Sequence, residues 1–201
     1  MMPVLLPVLI SGKQGSGKSS TAAAVHGMLE ARSHHVFTYK FASVLYEMHN
    51  AVLGVANHYR IPVPEKDGRL LQLLGTDWGR QVYGEDVWVN CAGTRFLQTR
   101  KDVGAGVFGG TDKSLAVFLI DDLRFRNEMR AFVELGALTF RLEATRDARK
   151  SRTVSWRETD THQSEVDLDE SLSLFTHVYR TDGDQTCEDI AASIVAKISN
   201  Y

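Results

Sequence analysis

Short apolar runs alternate with longer stretches of mixed polarity along the chain. The first, Val4-Leu5-Leu6-Pro7-Val8-Leu9-Ile10, is long enough for a buried strand, with Pro7 placing its start at about Val8 or its side at a tolerated edge. Similar runs at 36–41, 115–120, 137–143 and 176–180 complete a set of five predicted strands. Helical patterning fills the intervals at 20–31, 43–53, 86–100 and 187–198. Residues 54–68, with Pro62 and Pro64, read as a connection, and a break is predicted across 75–84. Residues 102–114 carry four glycines with no G-K-S and no helix signal after them, which predicts a flexible loop rather than a second phosphate site. Strands and helices that alternate in this way predict an α/β fold around a parallel five-stranded sheet flanked by helices.

The turn out of the first strand carries chemistry. Gly12-Lys13-Gln14-Gly15-Ser16-Gly17-Lys18-Ser19 fits the spacing G-x-x-x-x-G-K-[ST], with an apolar strand before it and the helix-forming Ser20-Thr21-Ala22-Ala23 after it. Residues without a Cβ let the loop turn its N–H groups inward and let phosphate oxygens approach, while the helix start adds a positive dipole end. Residues 12–20 are therefore the candidate site for ATP, with Lys18 directed at the β and γ phosphates and the Ser19 hydroxyl at Mg²⁺. Asp121 and Asp122 come directly after the most apolar strand and suit the acidic half of such a site, holding Mg²⁺ or its waters; a capping role at the next helix is the alternative.

Composition narrows the partners. In 201 residues a formal net charge of −2 provides no general attraction to a polynucleotide. Cys91 and Cys187 stand apart, without metal-ligand spacing, and predict two reduced thiols of a cytoplasmic protein and no structural zinc. The N-terminal apolar run is too short to cross a membrane and lacks a basic leader and a cleavage site, so no membrane partner is expected. One charged stretch stands out: Arg146, Arg149, Lys150, Arg152 and Arg157 precede a run of acids. A solvated helix face is one reading, and a cationic lid at the ATP edge is the other.

Taken together, the phosphate loop, "FASVLYEMHN", "LLQLLGTDWGRQVYGEDVWV", "LIDDLRFRNE", "RDARKSR" leading to "WRETDTHQSE", and "YRTDGDQTCEDI" resemble the P-loop nucleoside monophosphate kinases, and most of all the deoxynucleoside monophosphate kinases of bacteriophages. That resemblance implies a P-loop kinase fold over 1–201, with a monophosphate-binding part at about 41–100 and a lid at about 146–168. It implies transfer of the γ-phosphate of ATP, with Mg²⁺, to a deoxynucleoside monophosphate (dNMP), in host cytoplasm if the protein is viral, and leaves a homodimer open. Arg80 matches the position that grips the acceptor phosphate and Arg124 a second such contact, with Arg126 as a rival to Arg124 and Asp122 as a further acceptor-side candidate. Arg146, Arg149 and Arg152 are candidate lid contacts to the transferring phosphate, and not all three need act. Phe41 and Trp156 are candidates for the acceptor base or sugar, or for core; Lys40 reads as a surface lysine, and His162 and Glu165 receive no role. Two other readings stand beside this one: a kinase of another small phosphorylated metabolite, with phosphomevalonate-, shikimate- or gluconate-type enzymes as comparisons, and a nucleotide-dependent switch. Against the switch stands the absence of N-K-x-D and D-x-x-G.

Overall fold

The computed structural model describes residues 5–109, 115–154, 156 and 163–201. Its centre is a sheet of β1 (Leu5–Gly12), β2 (His35–Tyr39), β3 (Ala116–Leu123), β4 (Leu138–Glu143) and β5 (His177–Arg180), ordered β2-β3-β1-β4-β5. Every pairing is parallel. A parallel sheet must be covered on both faces, and the alternation along β1 shows how. Leu6, Val8 and Ile10 face α1 (Lys18–Glu30) and α9 (Cys187–Ser199), meeting Val25, Leu29, Ile194 and Ile198. Leu5 and Leu9 face the opposite side, where Ala92, Phe96, Val103, Met129 and Phe132 arrive from α5 (Val87–Gly104) and α6 (Arg126–Val133).

Strand ends depart from the pattern for local reasons. β1 starts at Leu5, not Val8: pairing with β4 begins only at Val8, so the missing N–H of Pro7 lies where β1 has a single neighbour. β2 stops at Tyr39, short of residue 41, because the N–H groups of Phe41 and Ala42 donate to the Asp122 carboxylate at 2.8 and 3.1 Å and turn the chain out of the ladder. β3 continues through Asp121 and Asp122 to Leu123, carried by its pairing with Ser11 of β1.

The region before α5 is more helical than its glycines predict. After α2 (Ser43–His58), the chain forms α3 (Gly68–Gln72), a π-helical stretch Leu73–Arg80 and α4 (Gln81–Tyr83), and breaks only at Gly84, φ 100°. The wide turns are fixed from outside: Trp88 Nε1 donates to the Gly75 carbonyl at 2.9 Å. A Cβ on Gly79 would come within 2.5 Å of the Trp88 ring and 2.8 Å of the Leu74 carbonyl oxygen. The predicted break thus becomes a close approach of backbone to indole. α5 likewise runs on to Gly104, shortening the glycine-rich loop predicted at 102–114, of which 110–114 lie outside the described residues.

The lid prediction falls on α7 (Arg146–Ser151), α8 (Gln163–Val166) and residues outside the described set, 155 and 157–162, which include Arg157 and His162. A 3-10 turn, Asp169–Leu174, leads from α8 to β5. Among the described residues, no helix is long and apolar enough to cross a membrane.

Candidate active site

The phosphate loop spans the C-terminal end of β1 and the start of α1, the edge where open parallel sheets bind ligands. Gly15 and Gly17 adopt φ of 76° and 88°, a region that side chains disfavour. A Cβ at Gly12 would fall 2.4 Å from Ser16 Oγ and 2.5 Å from the Leu142 carbonyl oxygen; one at Gly15 would fall 2.6 Å from the Arg149 carbonyl oxygen. Within this ring Lys18 Nζ donates to the carbonyls of Gly12 and Lys13 at 2.5 and 2.8 Å. Burial lowers its pKa to about 8, and the nearby Arg124 charge pushes in the same direction. The buried Ser16 Oγ has no hydrogen-bond partner among the described residues. A glycine ring that a methyl group would fill, around a desolvated ammonium, fits a polyphosphate.

On one side of the loop opens a cavity of about 640 Å³ lined by Gly15, Gly17, Lys18, Ser19, Ser20, Arg152 and the turn from Gly183 to Cys187. Thr181 ties this wall together: its Oγ1 donates to the Ser16 carbonyl at 3.1 Å, and Arg152 Nη2 donates to the Thr181 carbonyl at 2.6 Å. The three arginines expected in a lid separate here. Arg152 lines the cavity. Arg149 is buried, donates from Nη1 to the Gln14 carbonyl at 3.1 Å and lies 5.3 Å from the centroid of Trp156. Arg146 is exposed at the first turn of α7.

On the other side lies a smaller cavity of about 200 Å³, lined by Phe41, Ala42, Leu45, Leu71, Gly75, Thr76, Arg80, Trp88, Asp122, Arg124, Phe125, Glu128 and Ser164. Arg80 and Arg124, 44 residues apart in sequence, meet here, and Arg80 Nε is buried with no hydrogen-bond partner among the described residues. Phe41 contributes to this wall while its ring also meets Phe132 edge-on at 5.5 Å, so it serves core and cavity together. Trp156 does not appear among the described lining residues and stands by Arg149 instead. Arg126 turns away: it donates from Nε to the Asp167 carbonyl at 2.7 Å and pairs with Glu170 at 3.2 Å. That leaves Arg124 as the arginine of this register on the cavity.

The two aspartates separate as well. Asp122 accepts two backbone N–H groups, and burial raises its pKa despite them. Asp121 is buried at the end of β3, with Lys40 Nζ 3.1 Å from Oδ1; Lys40 itself is exposed, a surface lysine as expected, and has an ionic partner there. Ser19 is exposed at the start of α1. The hydroxyl of Ser19 and the carboxylate of Asp121 are hard oxygen donors of the kind Mg²⁺ takes.

Several residues that build the site were given no site role from the sequence. Glu128 accepts from the N–H groups of Arg124 and Phe125 at 2.9 and 3.1 Å and faces Arg80; burial pushes its pKa up to about 8. Asp169 bridges Lys13 Nζ at 2.6 Å and the buried Arg141 Nη2 at 2.8 Å. Glu165 is paired with Arg124 and accepts the Gln14 N–H at 2.9 Å. The far wall of the larger cavity falls within the stretch "YRTDGDQTCEDI" that carried part of the resemblance.

No protein-family model matches the chain, and no curated protein matches it in sequence. Solved structures do. APS kinase from Mycobacterium tuberculosis, in complex with AMPPNP and APS, superposes with a TM-score of 0.51 at 12% identity, covering 98% of each chain. Shikimate kinase from Acinetobacter baumannii, in complex with shikimate, covers 99% of this chain and 96% of its own with a TM-score of 0.47 at 12% identity. A sugar kinase from Janibacter covers 97% and 95% with a TM-score of 0.47 at 15% identity. With its five-stranded parallel sheet, its glycine ring at the end of β1 and its full-length likeness to the first of these, the chain has the P-loop kinase fold.

Proposed function

We propose that this protein is an ATP-dependent kinase that transfers the γ-phosphoryl group to a phosphate oxygen of a deoxynucleoside 5′-monophosphate, releasing ADP and the diphosphate. The observation that supports it is the pairing of two cavities across the phosphate loop, one lined by Lys18 and Arg152, the other by Arg80 and Arg124. Phosphoryl transfer needs an acceptor anion held in line with the donor and positive charge around the moving group, and little else from the protein.

In this reading the amides of residues 12–20 and Lys18 hold the donor phosphates, and Arg152 with the 181–187 wall holds the rest of the nucleotide. Arg80 and Arg124 hold the acceptor phosphate, each guanidinium able to take two oxygens. Phe41 supports the acceptor against the sheet. Ser19 and Asp121 would hold Mg²⁺, which would offset the negative charge of the phosphate oxygens. Asp122 fixes the Phe41 turn. Arg149 braces the loop through Gln14, and Arg146 is given no role in the transfer.

One observation favours a second reading, a kinase of another small phosphorylated metabolite. The acceptor cavity, at about 200 Å³, lies below the roughly 300–1,000 Å³ common for ligand pockets. A nucleotide acceptor would require α2 and α3 to move outward. A coupled assay of ADP release decides between them, run with ATP and Mg²⁺ against each dNMP and against a panel of phosphorylated non-nucleotide metabolites. Turnover with at least one dNMP is the expected result; turnover only with the panel assigns the second reading, and no turnover while ATP binds removes both.

A further inference from the structure

Four acidic side chains between residues 165 and 170 each meet a cation or an amide in or beside the site. Asp167 and Glu170 engage Arg126; the Asp167 Oδ2 accepts its backbone N–H at 2.7 Å. Asp169 engages Lys13 and Arg141. These contacts tie the segment to the outside of the site at two points. Glu165 reaches further in. Its carboxylate is almost completely buried, with one oxygen on the Gln14 N–H of the phosphate loop and the other paired with Arg124 on the acceptor cavity, and its charge is felt at Lys18.

A loop amide and an acceptor-side guanidinium are the donors that the proposed function gives to phosphate oxygens. A carboxylate presents the same kind of oxygen to both. We propose that Glu165 is an internal substitute for a phosphate oxyanion, holding Gln14 and Arg124 together in the unliganded protein, and that a phosphate group enters this point only by displacing it. The role of Glu165 therefore rests on the loop and its neighbouring cavity being a phosphate site.

The reason is electrostatic. An anion partly buried beside a carboxylate is repelled, and both would compete for the same Arg124 and Gln14 hydrogens. Glu165 also keeps the cations Arg124 and Lys18 from facing each other without a counter-charge. Bound phosphate supplies that counter-charge itself, so the carboxylate becomes dispensable once ligand is present. Displacing Glu165 frees α8 from the loop while Asp167 and Asp169 keep the rest of the segment anchored.

The test is titration calorimetry of AMPPNP and of inorganic tripolyphosphate with wild type, Glu165→Gln and Glu165→Ala. Removing the charge while keeping the shape should tighten both ligands at least about 10-fold in Glu165→Gln, with Glu165→Ala moving the same way. Affinity that is unchanged or weaker in Glu165→Gln overturns the inference, because a residue that merely positions Arg124 gives that result. A second measurement needs no variant: hydrogen–deuterium exchange of residues 163–166 in the wild type should speed up on addition of AMPPNP, and unchanged or slowed exchange overturns the inference as well. If neither ligand binds wild type or variant, the phosphate-site reading itself fails and takes this inference with it; if the wild type binds and the variant matches it, only the role of Glu165 falls.

Discussion

The Cζ of Arg80 lies 3.8 Å from the centroid of the Phe125 ring, and its Nη2 lies 3.8 Å from Glu128 Oε1. The ring supports the planar guanidinium from one face, and the longer carboxylate contact leaves hydrogens available to the cavity. Arg80→Lys keeps the charge but loses the fork and the stacked plane. It should lower kcat/KM for the acceptor by about 100-fold with the AMPPNP affinity within about twofold of wild type, since Arg80 lines the cavity it shares with Arg124 and not the larger one beside Lys18. Steady-state kinetics with calorimetry on the same preparations check both halves.

Lys18 is the cation enclosed by the phosphate loop. Lys18→Ala should reduce turnover by at least about 100-fold, in line with the loss of a charge-stabilising group in phosphoryl transfer. Near-normal turnover would remove Lys18 from the mechanism.

The lowered pKa of Lys18, about 8, makes a pH prediction with a definite sign. Phosphate prefers the protonated ammonium, so the affinity of wild type for tripolyphosphate relative to Lys18→Met, which cancels the ligand's own ionisation, should be level below pH 8 and fall above it. Binding at pH 8.5 should take up protons, which calorimetry in two buffers of different ionisation enthalpy measures. Lys18→Met should abolish the uptake.

Glu128 has the opposite balance. Its pKa is raised from 4.5 to about 8, so the folded protein holds a proton that the unfolded chain has released between those values. Stability from this group is therefore greatest at low pH and declines as pH rises from about 4.5 to about 8. Urea denaturation at pH 5.5, 6.5 and 7.5 should show a steeper decline for wild type than for Glu128→Gln, which keeps an oxygen for the Arg124 and Phe125 amides; parallel profiles would contradict the assignment.

Gly79 leaves no room between the π-helical backbone and Trp88. Gly79→Ala must displace the indole or unwind the turn that delivers Arg80, and overpacking of this kind costs about 1–3 kcal/mol. Thermal unfolding should show the loss, and acceptor KM should rise more than ATP KM.

The local parts of this protein were legible in the sequence for a physical reason: their determinants lie within a few residues. A continuous apolar run makes a strand buried on both faces, as in 115–120, and the spacing of Gly12, Gly17, Lys18 and Ser19 shapes a loop through backbone conformation alone. Parallel pairing of five strands is expected from their alternation with helices, and the observed sheet agrees. Where a distant partner decides the outcome, the linear pattern was silent or misleading. Glycines 75 and 79 predicted a break, yet Trp88 holds the segment in wide helical turns. Arg124 was preferred from the sequence, with Arg126 left as a rival until Asp167 and Glu170 drew it away. Asp121 and Asp122 differ because Lys40 pairs with the first carboxylate and the Phe41 turn takes up the second. Glu165 meets the phosphate loop across 151 residues of chain. Sequence alone determined the phosphate loop and the sheet that carries it; tertiary structure decided which charges face the cavities, because ion pairs and burial depend on distances in space that spacing along the chain does not encode.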